Sequence, residues 1–540
     1  MSIPFEGFCG PSYQLEDKYA AVERLANWRL VANESPTEKK WRLALGRTPG
    51  NKQFCELPVP APYNVANRGL IENRGKVFGV NGAIVFEMDS AGAFVNNIGT
   101  VVDDGKPVGM VANGNGQIFI CSANRGYVIP NQAILGGALI TIPYPHIPTA
   151  FLGATYTTFQ DGYIINIVPN SNQFQISGDP ATPVGDATIW NAQNVAVLAG
   201  QSDKLRACIS RREYLRILGQ RRSEIFQNVG TAGIGAFPFQ NFNSTFIETG
   251  ISAPFSLADV GDGYMWMGED ARGIRACWLD RSFNPQRVSN FAVEHFWQSY
   301  DHIDDAVAFT YIWKGHLIYR ITFPRAYESA VRFPLGATSG ALTSATWEYD
   351  ATLSELMGRP IWSELQFLTG NGFFQGRPEL FHCYAFGKHL IGSGGVDGNP
   401  GAIYQMSDTA YTDCGTDAAG AQSQQAIVRD RICPHLYADN VRIRYDRISF
   451  DVMRGVGLDG FAEDSMEPGA DPQLLLRWSN DAGNTFGNEF NLPVGKIGRF
   501  GTLVRLNRLG QGRDRVYWVR YTEPTDMGFV GASLDIRPGT

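Results

Sequence analysis

Leu474-Leu475-Leu476-Arg477-Trp478-Ser479-Asn480-Asp481-Ala482-Gly483-Asn484-Thr485-Phe486-Gly487 is the run from which the fold is read. Its first part, Leu474 to Trp478, is apolar and fits a strand, and a polar turn breaks it. Within the turn Ser479, Asp481, Gly483, Thr485 and Phe486 follow the S-x-D-x-G-x-T-aromatic spacing of an Asp-box. The chemistry is that of a hairpin tip: the Asp481 carboxylate accepts from turn amides, Gly483 takes positive φ, and Phe486 plugs the tip onto the sheet. An Asp-box builds a fold and is not an active site; β-propellers use it in several copies, and one good copy occurs here. Farther on, Arg513, Arg515, Val516, Tyr517, Trp518, Val519 and Arg520 mix charge with bulk. That pattern predicts a strand with one buried face and one charged face.

Short β runs fill the chain upstream. Val77 to Phe86 reads as two strands about Asn81-Gly82, the strongest short hairpin signal. Similar units recur at Gln117 to Ile129, Tyr163 to Ile176, Tyr214 to Phe226, Tyr264 to Leu279, His316 to Phe323 and His389 to Tyr404. Their starts are spaced roughly 40 to 50 residues apart, the period of propeller blades, except for a longer last interval that holds Trp347, Trp362 and a Gly-rich loop; the length suits about six to eight blades. The fold expected is all-β, a propeller-like body over 51–404 with a further β unit over 405–540, either a sandwich or the part that completes the propeller. A β-sandwich array is the competing architecture. Asp408 to Arg429 is polar and reads as an exposed connection. In the C-terminal unit the apolar phase slips by one residue between Tyr445 and Ile448, which places a β-bulge near Asp446-Arg447. Residues 1–50 stand apart, and Tyr19, Val22, Leu25, Ala26 and Trp28 outline a short helical stripe.

The composition narrows the function classes. Hydrophobic residues make up 44% and charged residues 18% of the 540, with 60 Gly, as in a turn-rich globular β protein. The net charge of −7 argues against tight DNA binding, while leaving room for DNA that slides past. Eight cysteines are scattered without a C-x-x-C pair and read as free, mostly buried thiols of a chain folded in a reducing compartment. No apolar run approaches a membrane span, so no membrane insertion is expected. The N-terminal Met-Ser-Ile-Pro-Phe-Glu-Gly lacks the charged and apolar regions of a signal peptide.

Candidate chemistry is sparse. None of the seven histidines has zinc-ligand spacing. Asp103-Asp104 and Asp304-Asp305 are adjacent acids, which on a strand point to opposite faces and make no acid–base couple. Asp304-Asp305 fits a turn or a helix cap. Ala112 to Gly116 is a Gly-rich turn with no helix after it, unlike a phosphate cradle. The run Arg211-Arg212…Arg216…Arg221-Arg222 could line a DNA-facing rim, but Glu213 and Glu224 lie within it and favour a solvated or intersubunit face. No catalytic, cofactor-binding or metal-binding residue is assigned, and no enzyme activity is expected.

Ordered blocks carry a resemblance. They are Gly10 to Gln14, Thr48-Pro49-Gly50, Asn172 to Ser177, Ser202-Asp203-Lys204, Leu218 to Gly230, Pro238-Phe239, Glu248 to Ser256, Asp305-Ala306, Gly315-His316, Phe323-Pro324, Trp347 to Asp350 and the C-terminal stretch. With these the chain resembles the packaged-DNA stabilisation, or tail nozzle, proteins of short-tailed bacteriophages. Leu205-Arg206-Ala207 is less apolar than that family's strand, and the insert around Ala330 to Ser344 is long. The resemblance implies an extended N-terminal strap over 1–50 instead of a helix. It implies a structural virion protein of the tail, assembled in the host cytoplasm, forming a ring with itself (a hexamer) below the portal. The partners implied are an adaptor protein, tail fibres or spikes, and packaged DNA that passes through the channel without specific binding. Two other readings stand beside it: a propeller-type glycan hydrolase, motivated by the Asp-box, and a non-catalytic receptor-binding protein.

Overall fold

The computed structural model describes residues 2–33, 43–55, 65–131, 137–144, 150–178, 185–198, 203–230, 237–269, 273–327, 343–395, 397–461, 465 and 467–539. Strand accounts for 51% and helix for 4%, an all-β chain. Six separate four-stranded sheets are propeller blades. Five are consecutive meanders, over 67–100, 109–141, 156–197, 205–247 and 258–287. The sixth takes three strands from Glu379–Ala385, Lys388–Ser393 and Ile403–Ser407, and its outer strand, Gly50–Cys55, from the N-terminal end of the chain. Between the fifth and sixth stands another four-stranded meander, 307–365, whose outer edge is not free and continues into a larger sheet. Glu379–Ala385 packs on Asn67–Asn73 and closes the ring. Borrowing that outer strand fastens the N-terminal part of the chain to the last blade through backbone hydrogen bonds.

Local sequence explains the blades. In the first, Asn81 and Ile84 are paired across a turn in which Gly82 has φ +51°. The predicted units from Gln117 to Tyr404 fall on central blade strands, the most buried because neighbouring sheets cover both faces. Each blade junction has its own apolar filling: Val80 and Val85 meet Ile118 and Ile120 between the first two, and Ile167 and Phe174 meet Leu215, Ile217 and Phe226 between the third and fourth. All eight cysteines are free, and seven are buried.

The C-terminal unit is a sandwich. One sheet holds Trp28–Ala32, Leu43–Arg47, Phe529–Pro538, Ile443–Val452 and Arg505–Asn507 in that order. The facing sheet runs Val22–Ala26, Arg429–Ile432, Asp514–Tyr521, Gln473–Ser479 and Phe490–Pro493, and Val22–Ala26 also pairs with the outer strand of the 307–365 meander, Trp362–Leu365. Leu25, Trp28, Leu474, Leu476, Tyr517 and Val519 meet Tyr445, Ile448, Phe450 and Phe529 between the sheets.

Several expectations are corrected. The helical stripe is two strands, Val22–Ala26 and Trp28–Ala32, separated by Asn27 at φ 56°. Its apparent period arises because the turn at Asn27 runs the apolar residues of one strand on into the next, while Tyr19 lies before both strands and is exposed. The connection expected over 408–429 contains a hairpin, Thr412–Thr416 with Gln422–Ala426, in which Asp413 and Cys414 are buried. Asp514–Tyr521 does not have a charged face: it is an inner strand, and Arg515 is 1% exposed, capped by the Tyr445 ring at 4.1 Å. The boundaries placed at 50 and 404 fall within Gly50–Cys55 and Ile403–Ser407, which pair with each other. The register shift between Tyr445 and Arg447 lies at Asp446. The long insert lies outside the described residues except for its last two.

Candidate functional site

The densest polar constellation is a buried seam where the N-terminal segment passes between propeller and sandwich. It is built from charged residues set singly into apolar strands. Arg320 lies between Tyr319 and Ile321, and its cross-strand partner Glu348 lies between Trp347 and Tyr349. Arg320 Nε donates to Glu348 Oε1 at 3.0 Å. The Tyr311 hydroxyl donates to the same carboxylate and accepts from Arg320 and from Arg29 of the N-terminal segment, both at 3.1 Å. Arg320 faces Glu379 at 3.6 Å, and Glu379 accepts from Arg377 at 3.1 Å and from Asn51 of the closing strand. Arg377 also grips Asp413 of the hairpin, at 2.9 Å through Nη2.

A second cluster joins the sandwich. Asp430 accepts from Arg520 at 2.7 and 2.9 Å and from the Trp518 indole at 2.9 Å. Arg24 donates to Glu364 at 2.6 Å and stands 3.8 Å from Asp430. Arg431 ties down the chain start, donating to the carbonyls of Gly7 at 2.6 Å and Phe8 at 2.7 Å. Asn27, at the crossing between the two sheets, donates to Gln366 and Val428 carbonyls and accepts from the Gln366 amide. Asparagine suits the place because it tolerates left-handed backbone and carries both donor and acceptor.

Burial works to raise the carboxyls of Glu348 and Asp430, but their arginines outweigh it and both stay below the usual range. Held toward the ionised form, these groups fasten the segments that carry them to the arginines opposite. Breaking such a pair is expensive even where the intact pair adds little net stability, which makes the seam a device for one defined arrangement.

Other residues singled out in the sequence lie elsewhere. The Asp-box is in the sandwich and not on a blade: Ser479 Oγ is 2.5 Å from Asp481, the Thr485 hydroxyl and amide reach Asp481 at 2.5 and 2.9 Å, and the Gly483 amide reaches Ser479 Oγ at 2.9 Å. Phe486 packs edge-on to Trp518 with centroids 5.1 Å apart. The arginine run is dispersed. Arg211 pairs with Asp259, Arg216 is buried against Asp280 and stacked over Trp266, and the amides of Arg221 and Arg222 bind Asp203. Glu224 is buried and bonds Asn241, so the acids within the run are not the partners of these arginines. Asp103 and Asp104 are on a loop and both face Arg68. His316 meets Asp350 at 2.6 Å, His435 meets Asp514 at 2.7 Å, and His382 stacks on His389; His146 lies outside the described residues. Among the described residues no three His, Cys, Asp or Glu side chains are grouped to hold a metal ion, and no helix is long and apolar enough to cross a membrane. The seam escaped sequence reading. Its signal was present in the lone charges at Arg320, Glu348 and Asp430, but their partners are far away in the chain.

The family model described as Bacteriophage P22 Gp10, beta-propeller, matches residues 55–332, and the one described as Bacteriophage P22 Gp10, beta-sandwich, matches residues 429–537. The chain belongs to the bacteriophage P22 Gp10 family. As a Gp10-family chain it is a structural protein of the phage tail. The structure carries the ring beyond the propeller match, to Ser407, and both halves of the Gp10 architecture meet at the seam. No curated protein matches the sequence. Solved structures similar to it include the computationally designed Ika8 protein (10% identity, TM-score 0.33, 75% of this chain and 98% of that one). Others are the Pan2 WD40 domain of Neurospora crassa (9%, 0.30, 58% and 90%) and the N-terminal domain of Nup159 (7%, 0.37, 66% and 95%).

Proposed function

We propose that this chain is the subunit of a tail nozzle, a ring of identical copies hung below the portal and its adaptor ring. In this reading the ring extends the DNA channel, retains packaged DNA, and offers its outer surface to tail fibres or spikes. The observation that carries it is the pair of family matches in order, propeller then sandwich. The seam supports it physically: a part that must withstand pressure from packaged DNA needs domains that do not swing, and the N-terminal segment pairs with both. The net charge of −7 suits a conduit, since a mildly acidic wall does not trap phosphates. A head-to-tail contact that closes on itself makes such a ring. The alternative of a glycan hydrolase rested on the Asp-box, and that motif lies in the sandwich hairpin.

Virions made without this protein test the proposal by electron microscopy and by an assay of retained DNA. Heads that fill, leak their genome and lack the distal tail are the expected outcome. Complete tails that hold their DNA would sink it.

A further inference from the structure

The 24 residues from Phe490 to Arg513 hold five cations, Lys496, Arg499, Arg505, Arg508 and Arg513, and no acid. The whole chain is at −7, so the rest of it is at −12, with 41 basic against 53 acidic residues. All four arginines are exposed, and among the described residues none has an ion-pair partner. On the same stretch Ile497, Phe500 and Leu503 are 54, 70 and 59% exposed. The loop that carries them is tied to the loop after Val452. There the Gly498 amide donates to the Gly455 carbonyl at 3.2 Å, and Arg454 donates to the Thr502 carbonyl at 3.2 Å. A groove of about 490 Å3 opens alongside, where Leu503, Arg505 and Arg454 meet Arg447 and Asp451. Arg447 is answered by Asp535 at 2.6 Å. Large apolar side chains left in water beside unanswered cations mark a docking surface. Phosphate would take the cations and leave the apolar groups wet, so the fitting partner is a protein surface both acidic and apolar.

Such a surface exists on this same chain. The helix Ala351–Met357 borders a groove of about 450 Å3 lined by Leu317, Ala351, Leu356, Asp262 and Glu355. Leu356 is 53% exposed, and the two exposed acids share a single cation, Arg281, at 2.9 and 3.4 Å. The two surfaces stand at opposite edges of one sheet. The helix packs on Trp28–Ala32, the first strand of that sheet, and Arg505–Asn507 is the last, with three strands between them. One open sheet cannot bring its own two edges together, whereas two copies side by side can. We propose that the basic face from Ile497 to Arg505 of one copy seats in the acidic groove beside helix Ala351–Met357 of the next. The inference rests on the ring proposed above and names the two unlike surfaces that a head-to-tail contact requires. Opposite charge on the two surfaces also sets the direction of the contact, since two basic faces repel.

The test uses assembled virions that carry the full-length chain with Phe500→benzoylphenylalanine, irradiated and then digested for mass spectrometry. A species of twice the chain mass is expected, with Phe500 joined to the peptide that contains Glu355. Charge exchange gives a second readout. Arg505→Glu and Glu355→Arg are each expected to lower the fraction of particles with complete tails about tenfold, and the double variant to restore it. Both side chains are exposed, so neither change threatens the fold. In particles with complete tails, a Phe500 cross-link to its own chain, to another part of a second copy or to a different molecule overturns the proposal, as does no cross-link. A double variant no better than the single ones overturns it too. The nozzle reading survives those results; it falls separately, if complete tails form without this protein.

Discussion

Asp481 and Asp397 are two carboxyls that their surroundings push in opposite directions. At the Asp-box tip some desolvation opposes ionisation, but the Ser479 and Thr485 hydroxyls and the Thr485 amide hold Asp481 down to about 2. Its folded pKa is below the unfolded value of about 3.9, so its contribution is present above that value and lost as pH falls toward 2. Asp481→Ala is expected to cost about 1 kcal/mol and to speed amide exchange at Gly483 and Thr485, measured by hydrogen exchange. Asp397 is buried, and desolvation lifts it to about 6 although Tyr404, Ser393 and the Asn399 amide donate to it at 2.5, 2.8 and 3.0 Å. With the folded pKa above the unfolded one, its contribution is complete below about pH 3.9 and lost as pH rises through 6. Asp397→Asn is therefore expected to flatten the decline in stability between pH 4 and 6, read from denaturant melts across that range. The Asp-box was legible in the sequence because its donors and acceptors lie within eight residues of one another. Asp397 was not, since nothing local announces that a Gly-rich loop is sealed.

Among the elements, the closing strand Gly50–Cys55 carries the most consequence for its length. Gly50 pairs with Ser407, and a Cβ there would stand 2.4 Å from the Thr412 carbonyl and 2.7 Å from that of Ala410. Gly50→Val is expected to destabilise by about 1–3 kcal/mol and to raise proteolysis of the 379–407 blade, followed by limited digestion and mass spectrometry. The central blade hairpins were readable from alternation and turn residues, since both act between neighbours in sequence. The strands at 22–32 were misread as a helix because the left-handed turn at Asn27 carries the apolar residues of one short strand into the next, and spacing alone cannot separate two such strands from a helix. The polar run at 412–426 was misread as a connection for the converse reason: Asp413 is buried because Arg377 waits for it, and Arg377 is set by another part of the chain.

At the level of the molecule, the seam makes propeller and sandwich one mechanical unit. Calorimetry is expected to show a single transition for the intact chain. Asp430→Asn leaves Arg520 and Arg24 facing a neutral group and is expected to cost about 3–5 kcal/mol, with the single transition splitting in two. A nozzle subunit that lost this coupling would be expected to assemble poorly, which electron microscopy of particles carrying the variant checks. The sequence by itself determined the all-β class, the blade-like repeat, the bulge at Asp446, the Asp-box turn and, through blocks in order, the Gp10 family. Those features are local, or repeat at a fixed interval, and short-range chemistry writes them plainly. Only the tertiary structure decided that the described strands between residues 2 and 55 are divided between the sandwich and the last blade, and which arginines are buried there. Strand partners such as Gly50 and Ser407 are chosen by competition among many similar apolar edges, and a lone charge becomes a seam residue only when a distant acid is folded against it.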